Sequence, residues 1–385
     1  MSFSQDILRD LVAFPTVSRD SNLELISYLR EFLAQRKIDS TLYPSEDGKR
    51  ANLFATIGPD NERGVMLSGH TDVVPVTRQH WTTDPFTASE RNGCIFGRGT
   101  ADMKGFLACM LAMVDRVEPH RLRIPVHLAF SYDEEIGCVG VRRLIEGLRH
   151  AAAPPRFCIV GEPSSMQVIV AHKGKTALRA TCCGVEAHSS RAPEALNAIY
   201  LASDMIGGIR KIQKSIVQLG PHDDDFDIGY TTLHVGTVSG GTALNIVPNS
   251  CELNLEVRNI PQQPMEGVVE QIRSLAARIE EAARRDFPSA AITLERVASY
   301  PALDTDPACD FVAEIKAIAG RNSHGKVAFG TEGGLFNNEL GIPTVVCGPG
   351  NIAQAHKPDE YVEKDQLNAC DQFLSDLVSR ICLGQ

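Results

Sequence analysis

Residues 124–148, IPVHLAFSYDEEIGCVGVRRLIEGL, run from an apolar stretch through three consecutive acids into an amphipathic stretch. The first eight, IPVHLAFS, read as a short buried strand, and RRLIEGL at 142–148 reads as a helix. The same order recurs on both sides. Upstream, RGVMLSG (63–69) is an apolar strand and GFLACMLAMVDRV (105–117) an apolar-rich helix; downstream, RFCIVGEP (156–163) is another strand. Strands alternating with helices predict an α/β layer fold with a largely parallel sheet, which binds ligands where strand ends meet loops. Asp133, Glu134 and Glu135 stand at such an end. Carboxylates crowded at the edge of a core repel one another and resist losing water. Either they fan out into solvent, or a positive charge sits among them.

The rhythm changes after residue 173. KTALRATCCGV (175–185) reads as a strand and PEALNAIYLASDMIGGIRKIQ (193–213) as a long amphipathic helix. TTLHVGTVSG (231–240) and SCELNLEVRNI (250–260) are two strands joined through a Gly-rich turn. MEGVVEQIRSLAARIEEAARRDF (265–287) is apolar at helical spacing, and AAITLERV (290–297) closes the series. The order β-α-β-β-α-β is that of the split βαβ sandwich. It is expected to form an inserted domain at 174–300, between two parts of one domain at 1–173 and 301–385. Alternation resumes with DPACDFVAEIKAIAG (306–320), the strand IPTVVCGPG (342–350) and the closing helix KDQLNACDQFLSDLVSRICLG (364–384).

Composition narrows the function classes. A chain of 385 residues with 43% hydrophobic and 22% charged residues can bury a sizeable core, and its length suits two domains. The net charge of −10, with no dense Lys/Arg block, argues against nucleic acid or an anionic membrane as partner. MSFSQDILRDLVAFPTVSRD carries charges at helical spacing rather than a signal-peptide core, and no apolar run approaches the ~18 residues of a membrane span. The eleven cysteines form no CxxC pair, as expected of buried thiols in a reducing cytoplasm.

Five segments bring metal-type ligands to the tips of these elements. LSGHTDVVP holds His70 and Asp72, two apart, so that a carboxylate can steady the imidazole. FGRGTADMKGF holds Asp102, with Gly99 and Gly105 allowing close backbone approach; a helix cap is the alternative for this Asp. SYDEEIG supplies Glu134 and Glu135, whose side chains point apart on extended backbone, so one can ligate while the other serves a bound water. VGEPSS gives Glu162, and GPGNIAQAHKPDEYV gives His356. Alone, each is an ordinary loop residue. Together, two histidines and, beside Asp72, four carboxylates without a thiolate suit two divalent ions of the zinc, cobalt or manganese kind, about 3.5–4 Å apart.

SGHTDVVP, GRGTADMKG, DEEIGCVG, GEP and AHKPDEY, in this order, resemble the five metal-site segments of the M20 metallopeptidase and deacylase family. The resemblance spans essentially the whole chain. It implies a zinc-exopeptidase-like catalytic domain with a largely parallel mixed sheet flanked by helices, and an inserted ferredoxin-like lid and dimerisation domain. It further implies that Asp102 bridges two zinc (or cobalt) ions, that His70 and Glu162 complete one shell, and that Glu135 and His356 complete the other. By the same resemblance Asp72 orients His70, Glu134 is the general base, and the Asp102–Met103 peptide is cis. In GVEAHSSRAP, His188 matches a histidine that reaches across a homodimer to steady the oxyanion; a capping segment before a helix is its other reading. Asn245 and Arg258 match substrate-holding positions, the arginine fork suiting an α-carboxylate. GTEGGLFNNELGIPTVVCGPGNIAQAHKPDEYV (330–362) is similar to the acetylornithine deacetylase branch, and Glu332 is the candidate partner of a substrate ammonium. The implied partner is a small N-acylated amino acid. Other M20 acyl specificities (citrulline deacetylation, desuccinylation) and M20 peptidases are the alternatives. A metal-dependent binding protein without catalysis is the reading from another class, and Glu134 speaks against it, since a binder needs ligands but no base.

Overall fold

The apolar runs assemble into a mixed sheet because most of their residues are buried on both faces, leaving backbone pairing as the way to satisfy their polar groups. The computed structural model describes residues 2–151 and 153–383. It divides into one unit of residues 1–171, 303–326 and 331–385, and a second of 172–302 with 327–330.

Among the described residues the sheet of the first unit runs Ser40–Pro44, Ala51–Ile57, Val126–Ser131, Val65–His70, Phe157–Pro163, Thr344–Gly348, Ile169–His172, Leu303–Asp304, with Gly325–Val327 paired on Ile169–His172. Val126–Ser131, Val65–His70, Phe157–Pro163 and Thr344–Gly348 form a parallel block. Antiparallel strands extend it on either side. Every residue of Val65–His70 and Val126–Ser131 is buried. So is every residue of the helix Gly105–Val114, apolar all round and packed against the helices Phe3–Val12 and Lys364–Leu377.

The second unit is an antiparallel sheet in the order Thr232–Gly240, Ser250–Asn259, Gly174–Cys183, Ala291–Tyr300. Alternate residues of its central strands meet Leu201, Met205, Ile209, Val268 and Ile272 of the helices Ala198–Leu219 and Met265–Arg284. The β-α-β-β-α-β order is therefore observed. The first helix starts later than its sequence suggests: Pro193 and Glu194 lie in a short 3-10 turn, and the Asn197 side chain accepts the Ile199 N–H to cap the helix. The Gly-rich connection after Gly240 carries a further short strand, Ile246–Val247, paired with Ala187–His188. All eleven cysteines are unbridged, and among the described residues no helix is long and apolar enough to cross a membrane.

Candidate metal centre

Parallel strands end on the same side of a sheet, and that geometry gathers the ligand-bearing segments. His70 is the last residue of Val65–His70, Glu162 stands near the end of Phe157–Pro163, and Glu134 and Glu135 follow Val126–Ser131. His356 lies in the loop after Thr344–Gly348, with φ of 63°. Asp102 comes from the irregular turn before helix Gly105–Val114, where the Asp102–Met103 peptide is cis. Gly99 enters that turn at φ of 83°, and a Cβ on Gly105 would lie 2.5 Å from the Thr100 carbonyl oxygen.

Two triads result, and they share Asp102. His70 Nε2 is 3.0 Å from Asp102 Oδ1 and 3.7 Å from Glu162 Oε1. His356 Nε2 is 3.1 Å from Asp102 Oδ2 and 3.0 Å from Glu135 Oε1. Tetrahedral ligands about 2.1 Å from an ion lie about 3.4 Å from one another, so these spacings fit a cation in each triad. The two oxygens of Asp102 face different histidines, the arrangement a bridging carboxylate requires. Charge points the same way. Burial drives Glu134 and Glu162 well above the ordinary carboxylate range and Glu135 up to about 7. Hydrogen bonds to Asp102 and Glu135 push His356 up to about 10, and His70 is also raised, its bonds to Asp102 and Asp72 overcoming its burial. A divalent cation would supply the positive charge this cluster favours.

Asp72 does more than steady an imidazole. His70 Nδ1 donates to the Asp72 backbone carbonyl at 2.8 Å, while the nearer carboxylate oxygen is 3.5 Å away. The orientation expected from the carboxylate thus comes chiefly from the main chain, which leaves Nε2 of the neutral ring for a metal. The carboxylate instead accepts the N–H groups of Glu134 (3.0 Å) and Glu135 (3.3 Å) and the Ser18 hydroxyl (2.7 Å). The two glutamates open a turn, rather than extending a strand, with the N–H groups of Gly137 and Cys138 on the Glu134 carbonyl. Asp133 also has partners: it accepts the Arg19 N–H at 2.7 Å and the Arg50 guanidinium at 2.6 Å. Ser18 and Arg50 carry no sequence signal of these roles, because each acts across more than fifty residues of chain.

Glu332 is not brought to an open wall. It is 1% exposed, and its carboxylate takes the Ser68 hydroxyl at 3.3 Å. In the second unit, His188 is exposed and caps the turn Ser189–Glu194 itself, its Nδ1 accepting the Ser190 N–H at 3.2 Å. The proton of the neutral ring then belongs on Nε2. Asn245 lies beside it, its carbonyl accepting the Ser189 N–H. Arg258 stands at the other end of strand Ser250–Asn259, its Nε 2.9 Å from Glu256.

The model of peptidase family M20/M25/M40 matches residues 66–380. Acetylornithine deacetylase of Pasteurella multocida (strain Pm70) is 32% identical over 383 residues, 97% of each chain. The protein of that name from Shigella sonnei (strain Ss046) is 31% identical over 98% of this chain and 97% of its own. Among solved structures, an M20 family metallo-carboxypeptidase from Sulfolobus solfataricus superposes with a TM-score of 0.78 at 19% identity, covering 98% of this chain and 99% of its own. The chain belongs to peptidase family M20/M25/M40 and is a metallo-hydrolase of that family.

Proposed function

We propose that the chain removes the acetyl group of N²-acetyl-L-ornithine, giving acetate and the L-ornithine used in arginine biosynthesis, in the cytoplasm. The observation that carries amide hydrolysis is the pair of triads sharing Asp102, with Glu134 bound through its N–H to the same Asp72 that fixes His70. Two relatives named for this activity, at 32% and 31% identity over nearly full length, support the substrate.

Two divalent ions, zinc or cobalt, held by His70, Asp102 and Glu162 and by Asp102, Glu135 and His356, would polarise the acetyl carbonyl and bring the pKa of water toward ~7. Glu134 takes the proton of the attacking water and returns it to the leaving amine. Arg258 takes the α-carboxylate, with Asn245 as a further polar contact, and His188 offers Nε2–H to the developing oxyanion.

These last residues bear on assembly. His188 and Asn245 lie beyond the Cys183/Ser250 end of the paired strands, and Arg258 is opposite Lys175 at the other end. Eight residue steps separate Ser250 from Arg258, about 27 Å of strand, more than one small amino acid spans. His188 and Arg258 therefore serve one substrate only if they come from different copies, and the proposal includes a homodimer.

The test is hydrolysis by the metal-loaded protein of acetylornithine, acetylcitrulline, succinyl-diaminopimelate and simple dipeptides. Acetylornithine is expected to have the highest kcat/KM. Preference for another acyl compound would reassign the substrate, and turnover that survives full removal of metal by chelator would overturn the mechanism.

A further inference from the structure

Behind the shared carboxylate lies an ion pair that none of the roles above employs. Arg98 and Glu360 are each 1% exposed, with Arg98 Nη1 2.6 Å from Glu360 Oε2. Removing two charges from water is costly, and such a pair is weak evidence for stability by itself. What it connects is more telling. Glu360 Oε1 accepts the backbone N–H groups of Ala101 (3.0 Å) and Asp102 (3.1 Å). Arg98 Nη2 donates to Gln79 Oε1 at 2.6 Å, and Gln79 Nε2 donates to the His356 backbone carbonyl at 3.0 Å. Arg98 Nη1 also reaches the Lys357 carbonyl at 3.4 Å, and its guanidinium lies over the Trp81 ring. Three stretches of chain, at 79–81, 98–102 and 356–360, are thus tied at one point.

The two triads need this tie unequally. His70 and Glu162 project from adjacent paired strands inside the sheet. His356 has no such support: it sits in a loop, at positive φ, with its side chain 49% exposed. We propose that the buried Arg98–Glu360 pair, with Gln79, is the positioning device that holds the His356 loop against the Asp102 turn and so sets the affinity of the ion between His356, Glu135 and Asp102. These are positioning residues, since none of their side chains touches a ligand atom of that ion. The inference rests on the two-ion reading of the site.

The experiment is calorimetric titration of the metal-stripped, full-length protein with zinc, with His356→Ala and His70→Ala identifying the two binding steps. Glu360→Gln keeps an oxygen for the two N–H groups while losing the ion pair. It should weaken the step that His356→Ala abolishes by 10-fold or more, in the range of about 10–100-fold usual for residues that hold metal ligands, and leave the other within threefold. Gln79→Ala, which truncates a half-buried side chain and spares the ion pair, should weaken the same step by about 3–10-fold on the same reasoning. Thermal melts of the stripped variants report folding, and Gln79→Ala decides alone if Glu360→Gln does not fold. Unchanged steps, equal weakening of both, or weakening confined to the His70 step would overturn the proposal. A native protein that binds no zinc would instead overturn the two-ion reading.

Discussion

Asp72 divides its work between its own atoms: the carbonyl fixes His70 and the carboxylate fixes the start of the Glu134–Glu135 turn. A base held through its N–H by the residue that aims a metal ligand cannot drift independently of that ligand. Near-attack geometry has to be kept to a fraction of an ångström, so this linkage bears directly on rate. Glu134 has no contact with His70 or His356 among the bonds described, and its Oε1 takes only the weak Cys138 thiol donor at 3.3 Å. It is free to serve water. We expect Glu134→Ala to lower kcat by about 10²–10⁴ while both zinc-binding steps persist, read by steady-state kinetics beside calorimetry. A variant that turns over like the native protein would remove Glu134 from the mechanism.

At the scale of elements, the turn after Val126–Ser131 is anchored from outside by Asp133. That residue adopts φ of 54°, which Asp tolerates better than most residues, and its carboxylate meets Arg50 just before strand Ala51–Ile57. With the Asp133 side chain 3% exposed, removing the cation strands a buried charge. Arg50→Leu should destabilise the protein by about 3 kcal/mol, measured by urea unfolding; a loss below about 0.5 kcal/mol would mean the pair is no stronger than a surface bridge. The acids of this turn were legible in the sequence as a place needing positive charge, but their partners were not. Periodicity reports which face of an element is buried; it says nothing about a bond from Asp133 to a residue 83 positions away. The strands of the parallel block were legible because burial on both faces makes them continuous apolar runs. Strand Ser40–Pro44, largely half-exposed, and the three-residue strands Ser89–Arg91, Cys94–Phe96 and Tyr361–Glu363 lack both length and contrast. The acid at Glu332 was legible in GTEGG, but its burial beside Ser68 was not, because that contact spans distant parts of the chain.

For the whole molecule, one buried group ties stability to pH. His127 is 4% exposed in the sheet, with its Nδ1 3.0 Å from the Thr56 hydroxyl, and burial lowers its pKa to about 4. Between that value and the usual 6.5 the unfolded chain binds a proton that the folded one refuses, so this contribution is lost as pH falls through that window. The loss from this residue approaches about 3 kcal/mol by pH 4. His127→Leu should reduce the drop in unfolding free energy between pH 7 and pH 4 by about that amount, and an unchanged drop would show that the ring already protonates freely in the folded state. The order of strands has a consequence for biosynthesis as well. Thr344–Gly348 lies inside the sheet, between Phe157–Pro163 and Ile169–His172, yet it is translated after the whole span 172–302. On the ribosome, the four-stranded sheet and two long helices of the second unit emerge while the edge of Phe157–Pro163 still lacks its neighbour. That unpaired edge is where a nascent chain would be most exposed to pairing with another, and it closes only when residue 348 has left the exit tunnel.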